Sequence, residues 1–364
     1  MRTFARVSIG CAVALVAFAS GCGDDGPSQR LSASQQTGSE SGSSAPASST
    51  SVPNASVAGM PPTFFAETHD SRIAIVSSST GEVARYLTEP QPGGGAGGFT
   101  LSPDGNTLFL SRGDGTCAGH VAMIDLVSGR EGPIPGDSAP PNLPPPNAVD
   151  SGLSLRPDGG AVAFSRYRCD TRATDLVIIP LTGSPSAEVV SAGIGGPIGL
   201  RSWTQDGSQV IVTKPNVDDG TTSYSAIDVA ANGSITGQHP ITTPSHAGCN
   251  FSIDLVAPDS GQLISSERCG AQGPTDQVTL VEFDLATERV THTLVTGPPG
   301  QILSPITLDS TGRYLLYETD ESIPPGVVIS DTNPAPPSQT WLLVDGTSTR
   351  FPQADAYGSL SWWS

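Results

Sequence analysis

Short apolar runs bounded by Gly, Pro, Asp and Ser recur along the chain from about residue 63 onward. Thr107-Leu108-Phe109-Leu110-Ser111-Arg112 follows Ser102-Pro103-Asp104-Gly105, and Ala161-Val162-Ala163-Phe164-Ser165-Arg166 follows Arg156-Pro157-Asp158-Gly159. Apolar runs this short, closed off by turn formers, predict β-strands. The tetrapeptide before each run predicts a tight turn by mechanism. Pro103 presets φ, Asp104 can bond the backbone two residues on, and Gly105 takes φ > 0 without steric cost. Looser copies stand at Gln205-Asp206-Gly207, Pro258-Asp259-Ser260-Gly261 and Ser310-Thr311-Gly312.

With the turn glycine as ruler, Gly105, Gly159, Gly207, Gly261 and Gly312 are spaced by 54, 48, 54 and 51 residues. A period near fifty in an all-β sequence predicts a propeller or a similar array. Each period reads as four strands, A to D. In the second, strand A is Phe99–Ser102, B is Thr107–Arg112, C is His120–Leu126, and a short D precedes Pro133. Strand C ends on an aspartate before a turn in Ile124-Asp125-Leu126, Ile227-Asp228-Val229, Phe283-Asp284-Leu285 and Val344-Asp345-Gly346. Those aspartates read as turn formers, not as ligands or catalytic acids. Thr63–Glu67, Arg72–Ser78 and Glu82–Leu87 supply strands B, C and D with no A before them, and Ser359–Trp363 supplies an A with nothing after it. Pairing the last strand into the first blade closes the ring and removes its open edges. The prediction is an all-β, six-bladed β-propeller over residues 63–364.

The xSPDG hairpin, the Asp125-Leu126-Val127-Ser128-Gly129 ending and the period resemble the WD-like repeats of the TolB-type six-bladed propellers. The resemblance covers 63–364 and implies a fold, not an activity. Such propellers include periplasmic and surface binding proteins, and also the propeller domains of prolyl-oligopeptidase-like enzymes. The latter carry a separate hydrolase domain, and none is expected here beyond the closing strand.

Composition agrees with many short strands: of 364 residues, 42 are Gly and 33 Pro, and only 14% are charged. The N-terminus changes the picture more. Arg2 and Arg6 precede an apolar run, Val7–Phe18, too short to span a bilayer. It ends in Ala19-Ser20-Gly21-Cys22, which resembles the bacterial lipobox and implies a signal peptide over 1–21 and diacylation of Cys22. Residues 22–62 are Ser, Gly, Ala, Thr and Gln with hardly an aromatic among them, and read as a disordered tether. An extracytoplasmic protein, lipid-anchored to a bacterial membrane, is expected. Without Arg2 and Arg6 the 17 basic residues become 15, against 35 acidic ones, which argues against nucleic-acid partners. A monomer is expected.

The candidate chemistry gathers at one face. The long connections, 132–150, 214–223, 270–276 and 320–339, are all D–A or B–C loops, and those loop types share one end of a propeller. Seven residues past four of the turn glycines stand Arg112, Arg166, Lys214 and Arg268, with Thr319 in the sixth blade. Four bases in one register would make a cationic ring suited to carboxylate or phosphate. The alternative is local pairing with Asp114, Asp170, Asp218 or Glu267. Cys117, Cys169, Cys249 and Cys269 predict two disulfides, with 117–169 and 249–269 preferred because each pair is brought together by neighbouring strand ends. No G-x-S-x-G, H-E-x-x-H, C-x-x-C or EF-hand pattern occurs, the five histidines lack ligand spacing, and no cofactor is expected. The polyglycine stretch 93–98 enters a strand, not a helix, and so is no phosphate loop. Two functions remain. One is a non-enzymatic scaffold that binds a protein or small ligand at the long-loop face. The other is a metal-dependent hydrolase or lactonase, for which Asp150, Asn250 and Asp254 lie near the channel entrance although Gly97, Ser151, Gly199, Ile253 and Ser304 form no ligand ring.

Overall fold

In the computed structural model the described residues are 59–90, 98–112, 117, 119–135, 148–182, 188–191, 199–215, 222–257, 261–270, 275–321 and 336–362. They form six four-stranded antiparallel sheets. Blade 1 holds β1 (Thr63–Glu67), β2 (Ile73–Ser77) and β3 (Val83–Tyr86). Blade 2 is β4 (Phe99–Leu101), β5 (Thr107–Arg112), β6 (His120–Asp125) and β7 (Arg130–Pro133), and blade 3 is β8 (Ala148–Leu155), β9 (Ala161–Arg168), β10 (Ala173–Pro180) and β11 (Glu188–Ser191). Blade 4 is β12 (Gly199–Trp203), β13 (Gln209–Pro215), β14 (Thr222–Val229) and β15 (Ile235–Ile241). Blade 5 is β16 (Cys249–Val256), β17 (Gln262–Cys269), β18 (Gln277–Asp284) and β19 (Arg289–Thr296). Blade 6 is β20 (Gln301–Leu308), β21 (Tyr314–Glu321), β22 (Gln339–Val344) and β23 (Thr347–Arg350), after which β24 (Leu360–Trp362) returns to blade 1 in the order β24-β1-β2-β3. The six-bladed propeller read from the repeat is the fold, with its ring closed by the C-terminal strand. Cys22 and most of the tether lie outside the described residues. The tether's last residues belong to the fold: Met60 packs against the core between blades 6 and 1, and the Pro62 carbonyl accepts from Ser78 N.

Six apolar clusters fill the six blade interfaces. Each takes alternate residues from two facing sheets, the arrangement that a period-2 pattern allows. Ile211, Tyr224 and Ala226 of blade 4, for example, meet Ile253, Leu263 and Phe283 of blade 5. The innermost strands β8, β12, β16 and β20 pack each against the next, and β24 packs on β20.

The A–B turns work as their sequence implies. Gly105, Gly159 and Gly207 have φ of 71°, 75° and 67°, where a side chain would be strained. Asp104 Oδ1 accepts from Asn106 N at 3.0 Å, and Asp158 and Asp206 do the same in their turns. The Ser102 hydroxyl and the backbone and side-chain amides of Asn106 hold the Asp104 carboxyl below its ordinary value. Asp125 and Asp284 likewise bond turn amides, whereas Asp228 holds Gln209 across the strands and Asp345 holds Arg313. Arg156 extends one turn into a clamp: Nε meets Asp158 at 2.6 Å and Nη1 reaches the Ala231 carbonyl of blade 4 at 3.2 Å.

Closure rests on an aromatic cage. Trp362 pairs with Phe64 across β24 and β1, stands edge-on to that ring at 6.3 Å, and donates Nε1–H to the Tyr314 carbonyl of blade 6 at 2.9 Å. Phe351 and Tyr357 complete the cage around Phe64. Trp362→Ala removes a 4%-exposed side chain and should cost about 3–5 kcal/mol. Denaturant unfolding is expected to show the midpoint falling, whereas Val127→Ala, at an 81%-exposed position, should leave it unchanged.

Candidate functional site

The described part of the long-loop face is built from strand ends, and its charges are paired. In blade 3, Asp150 at the start of β8 is buried and receives Arg166 of β9 through two 2.8 Å bonds, Nε to Oδ1 and Nη2 to Oδ2. The two residues face each other in the β8–β9 register. Arg168 meets the buried Asp175 at 3.0 Å. In blade 2, Arg112 holds Glu131 bidentately at 3.1 and 2.9 Å, and in blade 5 Arg268 meets the buried Asp276 at 2.7 Å. Lys214 is exposed near the end of β13. The structure bears on the candidate cationic ring on two counts, pairing and register. Its three arginines are bound to acids, and the acids are Glu131, Asp150 and Asp276. Of the partners named from sequence, Asp114 and Asp218 lie outside the described residues, and Glu267 takes His246 Nδ1 instead.

The second count is register. Thr107, Gln209 and Gln262 all stand opposite the strand-C aspartates Asp125, Asp228 and Asp284. Five residues further on come Arg112, Lys214 and Glu267. Blade 5 thus places Glu267, not Arg268, in the ring position. Arg268 is one residue later, and strand alternation turns it to the other face of the sheet. The glycine ruler slips because Gly261 directly precedes its strand, whereas Gly105 and Gly207 stand two residues before theirs.

Both predicted disulfides are present. Cys249 and Cys269 are directly opposed in β16 and β17, and Cys117 joins Cys169 across blades 2 and 3 with 6.2 Å between Cα atoms. The latter bridge has company. Ser111 Oγ of blade 2 donates to the Asp150 carbonyl of blade 3, and Gly119 N donates to the Ala148 carbonyl at 2.9 Å. A Cβ on Gly119 would stand 3.1 Å from Val149 Cα, so the close approach of the two backbones needs glycine there. Ser165 repeats the Ser111 device one blade on, accepting from Leu200 N at 3.0 Å.

The channel wall carries a second regularity. In β8, β12, β16 and β20 the register against the neighbouring strand shifts by one residue, at Gly152–Leu153, Arg201, Asp254 and Ile306. Bulges of this kind re-aim side chains and cluster near sites. Arg201 is exposed. Asp254 accepts from Ser252 Oγ at 2.8 Å. Burial pushes its carboxyl above the ordinary value, against the opposing influence of the nearby Ser266 and Ser252 and the charge of Arg201. Arg201 escaped the sequence reading because counting from strand-B turns says nothing about a bulge in strand A. Glu318, at the blade 6 rim, is also raised, by burial and by the charges of Asp320 and Asp355.

The three residues named from sequence for a metal site, Asp150, Asn250 and Asp254, differ in their surroundings. Arg166 takes both oxygens of Asp150, and Asn250 is exposed near the start of β16. Among the described residues the one cluster of three metal-type side chains is Cys249, Glu267 and Cys269, and its two sulfurs are bonded to each other. No described helix is long and apolar enough to cross a membrane.

No protein-family model matches the sequence, and no curated protein is similar to it. Solved structures share the fold. TolB from Acinetobacter baumannii superposes with a TM-score of 0.55 at 13% identity, covering 82% of this chain and 65% of that one, so the chain spans just under two thirds of its length. A putative TolB from Agrobacterium tumefaciens gives 0.53 at 13% identity, over 84% of this chain and 100% of that one. An oligogalacturonate lyase in complex with manganese gives 0.50 at 17% identity, over 77% and 70%. At these identities the likeness is one of fold alone.

Asp150→Ala leaves the Arg166 guanidinium without its buried partner and should destabilise by about 3–5 kcal/mol. Replacing both residues, as Asp150→Leu with Arg166→Met, should recover most of that loss in denaturant melts. A double variant as unstable as the single one would show that the pair is not the cause.

Proposed function

We propose that this chain is an extracytoplasmic, lipid-anchored propeller that acts as a non-enzymatic binding scaffold, presenting its long-loop face to a partner protein or a small ligand. The observation that carries the reading is the state of that face. Two disulfides and bidentate ion pairs fix strand ends of blades 2, 3 and 5, including those on either side of the long connection 132–150. Long loops on a rigid base suit recognition, since little order remains to be imposed on the base when a partner binds. A bridge across 52 residues stabilises by about 4 kcal/mol in the chain-entropy account, and such bridges persist in oxidising compartments. Cys22 and the tether complete the reading by holding the propeller off a membrane.

The structure sharpens the test. Pro133 and Ile134 belong to blade 2 and its core, and β8 begins at Ala148, so the rim segment to remove is 136–147, replaced by a short Gly/Ser linker. Membrane extracts captured on the mature protein and on this deletion should differ by partners lost from the deletion, at equal melting temperatures. Identical capture would end the rim reading. In the hydrolase reading Asp150 already holds Arg166. That reading predicts a melting temperature raised by calcium or manganese and lowered again by chelator, and we expect neither shift.

A further inference from the structure

Between them the six innermost strands carry one basic residue, Arg201, and two acidic ones, Asp150 and Asp254. Asp150 is bound by Arg166. The two charged groups left on the channel wall therefore stand at the same bulge of adjacent blades, Arg201 in β12 and Asp254 in β16. Inner strands pack their sides against neighbouring blades, so an exposed side chain on one of them opens onto the channel. Arg201 is exposed there, and among the described residues it makes no hydrogen bond or ion pair. The rim arginines Arg112, Arg166 and Arg268 are all paired, which leaves Arg201 unlike them in kind.

Asp254 gives the second observation. Its Oδ1 is taken by Ser252, but Oδ2 is buried without a partner. A buried carboxylate oxygen lacking a donor is costly, and the carboxyl responds by holding its proton more tightly. Arg201 influences it electrostatically but does not close an ion pair with it. Opposite charges one blade apart that stay unpaired leave the guanidinium's planar donors directed at whatever enters the channel. Guanidinium matches carboxylate and phosphate bidentately. The chain as a whole bears a formal charge of −18, so an anion meets repulsion outside and, among the described inner-strand residues, one cation inside.

We propose that Arg201 anchors an anion site on the channel wall between blades 4 and 5, taking the carboxylate or phosphate of a small solute, with the carboxyl of Asp254 nearby tempering its affinity. The site lies on the inner strands, and its existence does not depend on any partner at the rim.

The test is calorimetric titration of the full mature protein with L-malate, succinate and inorganic phosphate. Saturable binding of at least one probe is expected. A preference for the dicarboxylates malate and succinate or for phosphate tells a carboxylate source from a phosphate source. Arg201→Gln should weaken binding at least tenfold, Arg201→Lys should retain most of it, and Arg130→Gln on the outer strand β7 should change nothing. Asp254→Asn should tighten binding several-fold by removing a like charge. Circular-dichroism melts should be unchanged for the Arg201 variants, since the residue is exposed and unpaired. Failure of all three probes to saturate, or wild-type affinity in a folded Arg201→Gln protein, would overturn the site. Unchanged affinity in Asp254→Asn would remove Asp254 from it.

Discussion

Every other feature of this molecule depends on one non-local pairing, that of β24 with β1. Four strands of each blade are neighbours in sequence, apart from this one in blade 1, which is supplied from the far end of the chain. Without it blade 1 would expose an unpaired inner edge, and the cluster between blades 6 and 1 would lose Leu360 and Trp362. Its closure is correspondingly over-determined. Ladder hydrogen bonds, the Trp362 indole on blade 6 and the aromatic cage around Phe64 all act at one seam. A channel with fixed residues on its wall exists only because that seam holds.

The two ends of the ring are stabilised by different physics. At the short-turn end the restraints are local: Asp104, Asp158 and Asp206 satisfy amides within their own turns, and Arg156 bridges to the next blade's turn. At the long-loop end the restraints span blades and sequence, through Cys117–Cys169, Ser111 to Asp150, Ser165 to Leu200 and the buried Asp150–Arg166 pair. Short turns can be rigid by themselves. Long connections cannot, because the entropy of ordering them grows with length, so their bases must be fastened by something else.

This division also governs what could be read from the sequence. Blade count, ring closure, strand positions and both disulfides were legible because each leaves a local, repeated mark: a turn aspartate, a glycine, a period, a cysteine after strand B. Partners were not. Arg166 and Asp150 are opposed only once the β8–β9 register is known, and a shift of one residue changes the partner and the face. Blade 5 shows how sharp that sensitivity is. Its glycine stands one place closer to strand B than in blades 2 and 4, and the same count that found Arg112 and Lys214 landed on Arg268 instead of Glu267. The strand-C aspartate, which sits opposite the first residue of β5, β13 and β17, is the better ruler.

A ruler of that kind exposes the feature that strand-B counting hides. Four inner strands carry such a bulge, at Gly152–Leu153, Arg201, Asp254 and Ile306. A bulge kept for geometry alone needs no charge, and Leu153 and Ile306 pack against apolar clusters accordingly. Polar substitutions at two adjacent copies sacrifice that packing and place opposite charges on the wall without joining them. Had the purpose been structural, a bidentate pair like Asp150–Arg166 would have satisfied both groups, and the chain forms such pairs readily elsewhere. Leaving the donors of Arg201 open to the channel, in a protein whose rim arginines Arg112, Arg166 and Arg268 are all paired, is the arrangement of a binding group.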